Sequence, residues 1–64
     1  MKNVLAELRQ SKNLTQEQLA AAVGVTRQTI ISIEREKFNP NLALAYKLAK
    51  EFDCRVEDIF PNTM

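Results

Sequence analysis

Gly24 is the only glycine among the 64 residues of this chain, and it follows a run of strong helix formers, QEQLAAAV. Glycine has no Cβ and enters the left-handed backbone conformation at no steric cost, so it often lies just after the last residue of a helix. The sequence therefore predicts a helix that ends at Val23 and a turn at Gly24, after which another helix begins.

Side chains suited to capping lie at the start of both helices that flank this turn. Thr15 and Gln18 form a Thr-x-x-Gln capping box, in which the hydroxyl and the amide satisfy backbone donors that would otherwise be unpaired. Thr26 is suited to cap the helix after the turn. We therefore expect one helix to begin after Thr15 and the next to begin after Thr26.

Apolar residues on these two helices are spaced so that the helices can pack against each other. Ile30 and Ile33 are three residues apart and are expected to face Leu19 and Val23. The alanines at positions 20–22 predict a close approach of the two helices, because a large side chain there would hold them apart.

The rest of the chain also has helical spacing of its apolar residues, and no alternating run typical of a β-strand is present. A first helix is predicted from about Lys2 to Ser11. Asn41, which follows a proline, is predicted to cap a fourth helix. The expected buried stripe of the first helix is Val4, Leu5 and Leu8, and that of the fourth is Leu42, Ala45, Leu48, Ala49 and Phe52.

A short fifth helix is predicted from about Val56 to Phe60, where Pro61 stops it. Asp53 lies where the fourth helix should end, and aspartate tolerates the left-handed conformation better than most residues. Arg55 precedes the fifth helix and is a poor capping residue, so we expect no obvious side-chain cap there.

Length and composition exclude several classes of function. A chain of 64 residues has room for a single domain, residues 1–64, with one small core. With no histidine, one cysteine and one glycine, it offers no imidazole base, no zinc-ligand set and no phosphate-binding glycine loop. We therefore expect no enzyme, no metal, no cofactor and no evident small-molecule ligand. Cys54 is expected to pack as a small apolar residue, with a redox switch as the alternative.

The sequence has no apolar run long enough to span a membrane and no apolar signal region at its start, so we expect a cytoplasmic protein. Its net charge of +1 is unevenly distributed. Residues 1–50 carry eight cationic and four anionic side chains, a net +4, whereas residues 51–64 carry one and four, a net −3. This polarity is typical of a protein with one face toward phosphate, although ordinary solvated surface charge explains it nearly as well.

The stretch from Thr15 to Glu34, TQEQLAAAVGVTRQTIISIE, resembles the helix-turn-helix of phage repressor and Cro proteins, the XRE type of bacterial regulator. The resemblance continues through RQTIISIEREKFNPNLALAYKLAKEFDCRVEDIF and covers nearly the whole chain. It implies an all-α, five-helix, lambda-repressor-like DNA-binding domain with its helix-turn-helix at about residues 15–35. Core, small and turn residues of that motif match Leu19, Ala20, Val23, Gly24, Val25, Ile30 and Ile33.

The resemblance implies that the third helix lies in the major groove of double-stranded DNA. Spacing agrees, because turning the two isoleucines inward turns Arg27 and Gln28 outward, where they can bond to guanine and adenine respectively. Ile31 would contact a thymine methyl group, with chance exposure as the alternative. The expected base-contacting residues are Thr26, Arg27, Gln28, Ile31 and Ser32.

Phosphate contacts are expected from elements beside the recognition helix. Gln16 is the best candidate, because the resemblance implies that the residue at this first turn of helix two contacts the DNA backbone, beside the positive end of the helix dipole. The expected phosphate-contacting residues are Gln16, Arg35, Lys37, Asn39 and Asn41. The resemblance also implies an internal ion pair between Arg9 and Glu34.

The resemblance favours a homodimeric repressor, bacterial or phage and nucleoid-associated when bound, that reads an inverted-repeat operator with half-sites roughly 34 Å apart. Its dimer contact is expected at the C-terminal end, which is apolar through Met64, at Val56, Phe60 and Pro61, with Phe60 the main contact. For Val56 and Ile59 the alternative is that they cover the core. Two alternatives remain: a protein-interaction module such as an antitoxin or anti-repressor, and an RNA-binding module, which the lack of aromatic residues on the polar face disfavours.

Overall fold

The computed structural model describes residues 2–61, and these form five α-helices and no strand. The helices are α1 (Leu5–Ser11), α2 (Gln16–Val23), α3 (Arg27–Glu34), α4 (Leu42–Glu51) and α5 (Val56–Ile59). The prediction of an all-α, five-helix domain is confirmed.

The turn between α2 and α3 has the predicted geometry. The backbone N–H of Gln18 donates to the Thr15 hydroxyl at 3.0 Å, and the Thr15 N–H donates to the Gln18 side chain at 2.8 Å, which completes the capping box. Gly24 adopts the left-handed conformation with φ +74°. The Thr26 hydroxyl then accepts from the Thr29 N–H at 3.3 Å and caps α3.

Leu19 and Val23 on α2 and Ile30 and Ile33 on α3 are all buried in one core, as predicted. The prediction that the whole alanine run serves close helix packing is wrong. Ala20 is buried, but the next two alanines, at positions 21 and 22, are exposed. Successive residues on a helix are about 100° apart, so three in a row cannot all face the same neighbour.

The first helix begins at Leu5 rather than near Lys2. The Asn3 side chain accepts from the Leu5 N–H at 3.1 Å and donates to the Ile33 carbonyl at 2.8 Å, which holds the chain in a non-helical conformation. The Val4 N–H donates to the Ile59 carbonyl at 2.9 Å. These bonds fasten the segment before α1 to the end of α3 and to α5.

The fourth helix has the predicted cap but not the whole of the predicted stripe. The Asn41 side chain accepts from the Leu44 N–H at 2.8 Å. Leu42 is 65% exposed, and Leu44 is buried in its place. Both leucines fit a helical stripe with the residues that follow, and the positions of α2 and α5 decide which one is covered. The remaining predicted members are buried: Ala45, Leu48, Ala49 and Phe52.

The fifth helix is one residue shorter than predicted, and the Arg55 side chain makes no capping hydrogen bond, as predicted. The Asp58 carboxylate accepts from the Arg55 N–H at 2.9 Å, so the bond comes from inside the helix. Asp53 adopts the left-handed conformation with φ +51°, as predicted for the end of α4. Asn13 (φ +57°) and Glu36 (φ +62°) have the same conformation after α1 and α3.

Candidate nucleic-acid interface

The outer face of α3 carries the residues predicted to contact bases. Arg27 and Gln28 are exposed, whereas Ile31 and Ser32 are half-buried. The opposite face is fixed by Ile30 and Ile33, which are fully buried against α2. A short helix anchored in this way presents its exposed side chains from a rigid support, which a base-reading surface needs.

Hydrogen bonds within α3 already restrict some of these side chains. The Gln28 amide nitrogen donates to the Ser32 hydroxyl at 3.4 Å, which leaves its second N–H and its carbonyl for a base edge. Thr26 is exposed, but its hydroxyl caps Thr29 and lies 3.1 Å from the Thr29 hydroxyl. Thr26 therefore has less free hydrogen-bonding capacity than Arg27 or Gln28.

Four of the five residues predicted to contact phosphate lie in one segment, from the end of α3 to the start of α4. Arg35, Lys37, Asn39 and Asn41 are all exposed there. Glu36 has a left-handed backbone conformation, which ends the helical course of the chain after α3. The Lys37 N–H donates to the Ser32 carbonyl at 2.9 Å. The loop that carries Lys37 is therefore fastened to α3.

Gln16 is half-buried at the first position of α2, and its side chain is part of an internal network. Its amide nitrogen donates to the Oε1 atom of Glu34 at 3.0 Å. Arg9 and Glu34 form an ion pair with the Nε and Oε2 atoms 2.8 Å apart, and only 13% and 8% of the two side chains is exposed. Arg9 also donates to the Leu14 carbonyl at 2.8 Å. Sequence reasoning missed the contact of Gln16, because nothing in the spacing indicates a bond between residues 18 apart.

The C-terminal apolar residues are largely used inside the domain. Phe60 is 8% exposed and lies in the core, Val56 is half-buried against it, and Pro61 is exposed. The burial of Phe60 leaves little of its ring for a second chain. Met64 lies outside the described residues.

A different apolar surface is exposed, and the sequence analysis did not identify it. Phe38, Leu42 and Tyr46 are 45%, 65% and 61% exposed. Leu42 and Tyr46 are four residues apart on α4 and therefore lie on the same side of that helix. We call Leu42 and Tyr46 the α4 apolar surface.

Cys54 is half-buried and packs against the core, as expected. Its pKa is raised above the ordinary value, first by burial and then by the carboxylates of Asp58 and Asp53. Among residues 2–61 we find no group of metal-ligating side chains. None of the helices in that same range is long and apolar enough to cross a membrane.

Comparisons with known proteins agree with the helix-turn-helix arrangement of α2 and α3. A family model described as helix-turn-helix matches residues 5–59. An uncharacterized HTH-type transcriptional regulator of Methanocaldococcus jannaschii is 57% identical over 60 residues, which is 94% of this chain and 91% of the relative. The HTH-type regulator YgzD of Bacillus subtilis is 47% identical over the same coverage of both chains.

A solved structure has a similar fold. The restriction-modification controller protein C.AhdI from Aeromonas hydrophila matches with a TM-score of 0.77 and 37% identity. The match covers 84% of this chain and 82% of that protein.

Proposed function

This chain belongs to the helix-turn-helix family of transcriptional regulators, of the XRE type, and we propose that it is a repressor that binds an inverted-repeat operator as a homodimer. The observation that carries the proposal is the two-sided character of α3. Its inner face is fixed by Ile30 and Ile33, and its outer face exposes Arg27 and Gln28.

In this proposal α3 enters the major groove, which is about 12 Å wide and accommodates one α-helix. Arg27 donates two parallel hydrogen bonds to the O6 and N7 atoms of a guanine, and Gln28 bonds to the N6 and N7 atoms of an adenine. Ile31 is half-buried, so only part of its side chain contacts a thymine methyl group. Ser32 and Thr26 complete the surface, although both already take part in bonds within α3.

Phosphate contacts fix the orientation of the helix in the groove. Arg35 and Lys37 supply charge at the end of α3, and binding to phosphate by such cations releases counterions. Asn39 and Asn41 follow in the same loop, and the Asn41 amide nitrogen remains available while its oxygen caps α4. Gln16 contacts the DNA backbone from the N-terminus of α2, where the helix dipole favours an anion.

A second copy is required for an inverted repeat, and the α4 apolar surface supports this part of the proposal. An ordinary interface removes about 800 Å² from each partner. Phe60 contributes little because it is buried, so Val56 and Pro61 alone fall short of such an area. Exposed Leu42 and Tyr46 are side chains of the type that a subunit contact covers, and in a twofold dimer each copy presents the same patch.

In this proposal the protein acts in the cytoplasm and is associated with the nucleoid when it is bound to DNA. Repression then follows from occupancy of an operator that overlaps a promoter, without a cofactor. Three kinds of control fit this proposal: the concentration of the protein itself, another protein, or competition for the DNA site.

Random-site selection with the purified protein tests the proposal. We expect enrichment of an imperfect palindrome whose half-sites are separated by about 10 base pairs, one helical turn. A parallel selection with the variant Arg27→Ala is the control and should lose preference at one position of each half-site. Recovery of no common sequence would contradict the proposal and favour a protein-interaction module, and recovery of a single asymmetric site would contradict the homodimer.

A further inference from the structure

We propose that Glu34 is a positioning residue that holds the Gln16 amide ready for its phosphate contact, while Arg9 neutralises the carboxylate. The inference rests on the proposed DNA-binding function. It assigns to the Arg9–Glu34 pair a role in binding beyond the joining of α1 to α3.

Glu34 accepts a hydrogen bond on each of its two carboxylate oxygens. Its Oε1 atom accepts from Gln16 at 3.0 Å, and its Oε2 atom accepts from Arg9 at 2.8 Å. An amide nitrogen has two hydrogens, so Gln16 keeps one N–H for a phosphate oxygen while the other is held. A glutamine side chain loses much rotational freedom when it is fixed, and Glu34 imposes that loss before DNA arrives.

A carboxylate beside a phosphate contact repels DNA unless a cation offsets it. Arg9 approaches both oxygens of Glu34, with its Nη2 atom 3.4 Å from Oε1, and a further bond to the Leu14 carbonyl fixes the guanidinium. The pair therefore presents a hydrogen-bond acceptor to Gln16 without a net negative charge.

A purely structural ion pair does not require the third partner. The Arg9–Glu34 contact alone bridges α1 and α3, and the glutamine is an addition from α2. Gln16 is also the residue of this network that stands at the N-terminus of α2, on the side proposed to meet phosphate.

A double-mutant cycle on DNA binding tests the inference. The first change is the paired replacement Arg9→Met with Glu34→Met, which leaves the net charge of the protein unchanged. Replacing a whole buried ion pair by apolar residues of similar size commonly preserves a fold. The second change is Gln16→Ala, made in the natural protein and in the paired variant, with Gln10→Ala on the exposed side of α1 as the control.

Affinity is measured by fluorescence anisotropy on a 24-base-pair duplex of random sequence (about two helical turns) at fixed salt, with folding checked by circular dichroism. We expect Gln16→Ala to weaken binding about three- to tenfold in the natural protein, as for loss of one hydrogen bond. In the paired variant, which is itself weaker, the same change should have an effect of less than about twofold. Equal effects of Gln16→Ala in both backgrounds would overturn the inference while leaving DNA binding intact.

A measurement on the natural protein covers the case in which the paired variant does not fold. The side-chain amide of Gln16 should give a higher heteronuclear NOE than that of exposed Gln10 in the absence of DNA. Equal values for the two amides would show that Glu34 does not hold Gln16 and would overturn the inference. Failure of the natural protein to bind any duplex would instead overturn the proposed function and the inference with it.

Discussion

Replacement of Gly24 by alanine isolates the energetic role of the turn between α2 and α3. An ideal Cβ built on Gly24 has no neighbouring atom within 4 Å, so the substitution creates no steric clash with the rest of the domain. The remaining penalty is conformational, because φ is +74° and the left-handed region costs an L-residue about 1–2 kcal/mol. Alanine also reduces the entropy of the unfolded chain, which offsets about 0.4–1 kcal/mol.

The expected net loss for Gly24→Ala is therefore about 1 kcal/mol in the free energy of unfolding, or about 4–8 °C in Tm for a domain of this size. Urea and thermal unfolding followed by circular dichroism measure it. Glu36→Gly is the matched control, since Glu36 already has φ +62° at the end of α3, and it should stabilise the protein or leave it unchanged. A loss above about 3 kcal/mol for Gly24→Ala would refute the reasoning, because it would require a clash that the open space around the turn excludes.

Three further predictions concern the interface, the subunit contact and the thiol. Arg27→Ala should cost about 1–3 kcal/mol of binding free energy on the selected operator and remove the base preference at one position. Lys37→Ala should weaken binding to every duplex and lower the slope of log K against log salt concentration by about one. Anisotropy titrations measure both, and the same dependence on sequence and salt for the two variants would contradict the assignment. Tyr46→Glu should raise the dimer Kd at least about tenfold in sedimentation equilibrium. The control Ala22→Glu, on α2, should leave the dimer Kd unchanged. Equal Kd values for the two variants would exclude the α4 apolar surface as the subunit contact. The pKa of Cys54 is raised, chiefly by burial, so alkylation by iodoacetamide should be slower than that of a free thiol at pH 8. Because the folded state binds the thiol proton of Cys54 more tightly than the unfolded state does, the contribution of Cys54 to the free energy of unfolding should be complete below pH 9.0 and decline above it. Cys54→Ser should remove that decline.

Local chemistry made α2, α3 and the start of α4 predictable. Thr15, Thr26 and Asn41 each accept a hydrogen bond from a backbone N–H of the following helix, and Gly24 adopts the left-handed conformation. Each of these features depends on residues at most a few positions apart, which a sequence pattern contains. The family resemblance rests on the wider stretch from Thr15 to Glu34, and it implies the five-helix fold.

Features that depend on distant residues could not be predicted in this way. The helix α1 starts late because Asn3 bonds to a carbonyl 30 residues away. Helical periodicity allowed both Leu42 and Leu44 in the buried stripe, and only the tertiary packing selects Leu44.

In the candidate site, too, local features were predictable from the sequence and contacts between distant residues were not. The exposure of Arg27 and Gln28 follows from which face of α3 is buried, so the helical pattern predicted it. Contacts across helices, such as Gln16 with Glu34, have no signature in the spacing. The roles of these residues in DNA binding stay predictions.

The bond from the Val4 N–H to the Ile59 carbonyl, 2.9 Å long, brings the two ends of the described chain together. A short linker between residues near positions 3 and 61 would therefore close the backbone into a ring with little strain. New ends opened at the exposed turn between α1 and α2, residues 11–13, would give a circular permutant that leaves α3 and its loop uninterrupted. Such a rearranged gene offers a way to fuse a reporter beside α2 instead of beside α5.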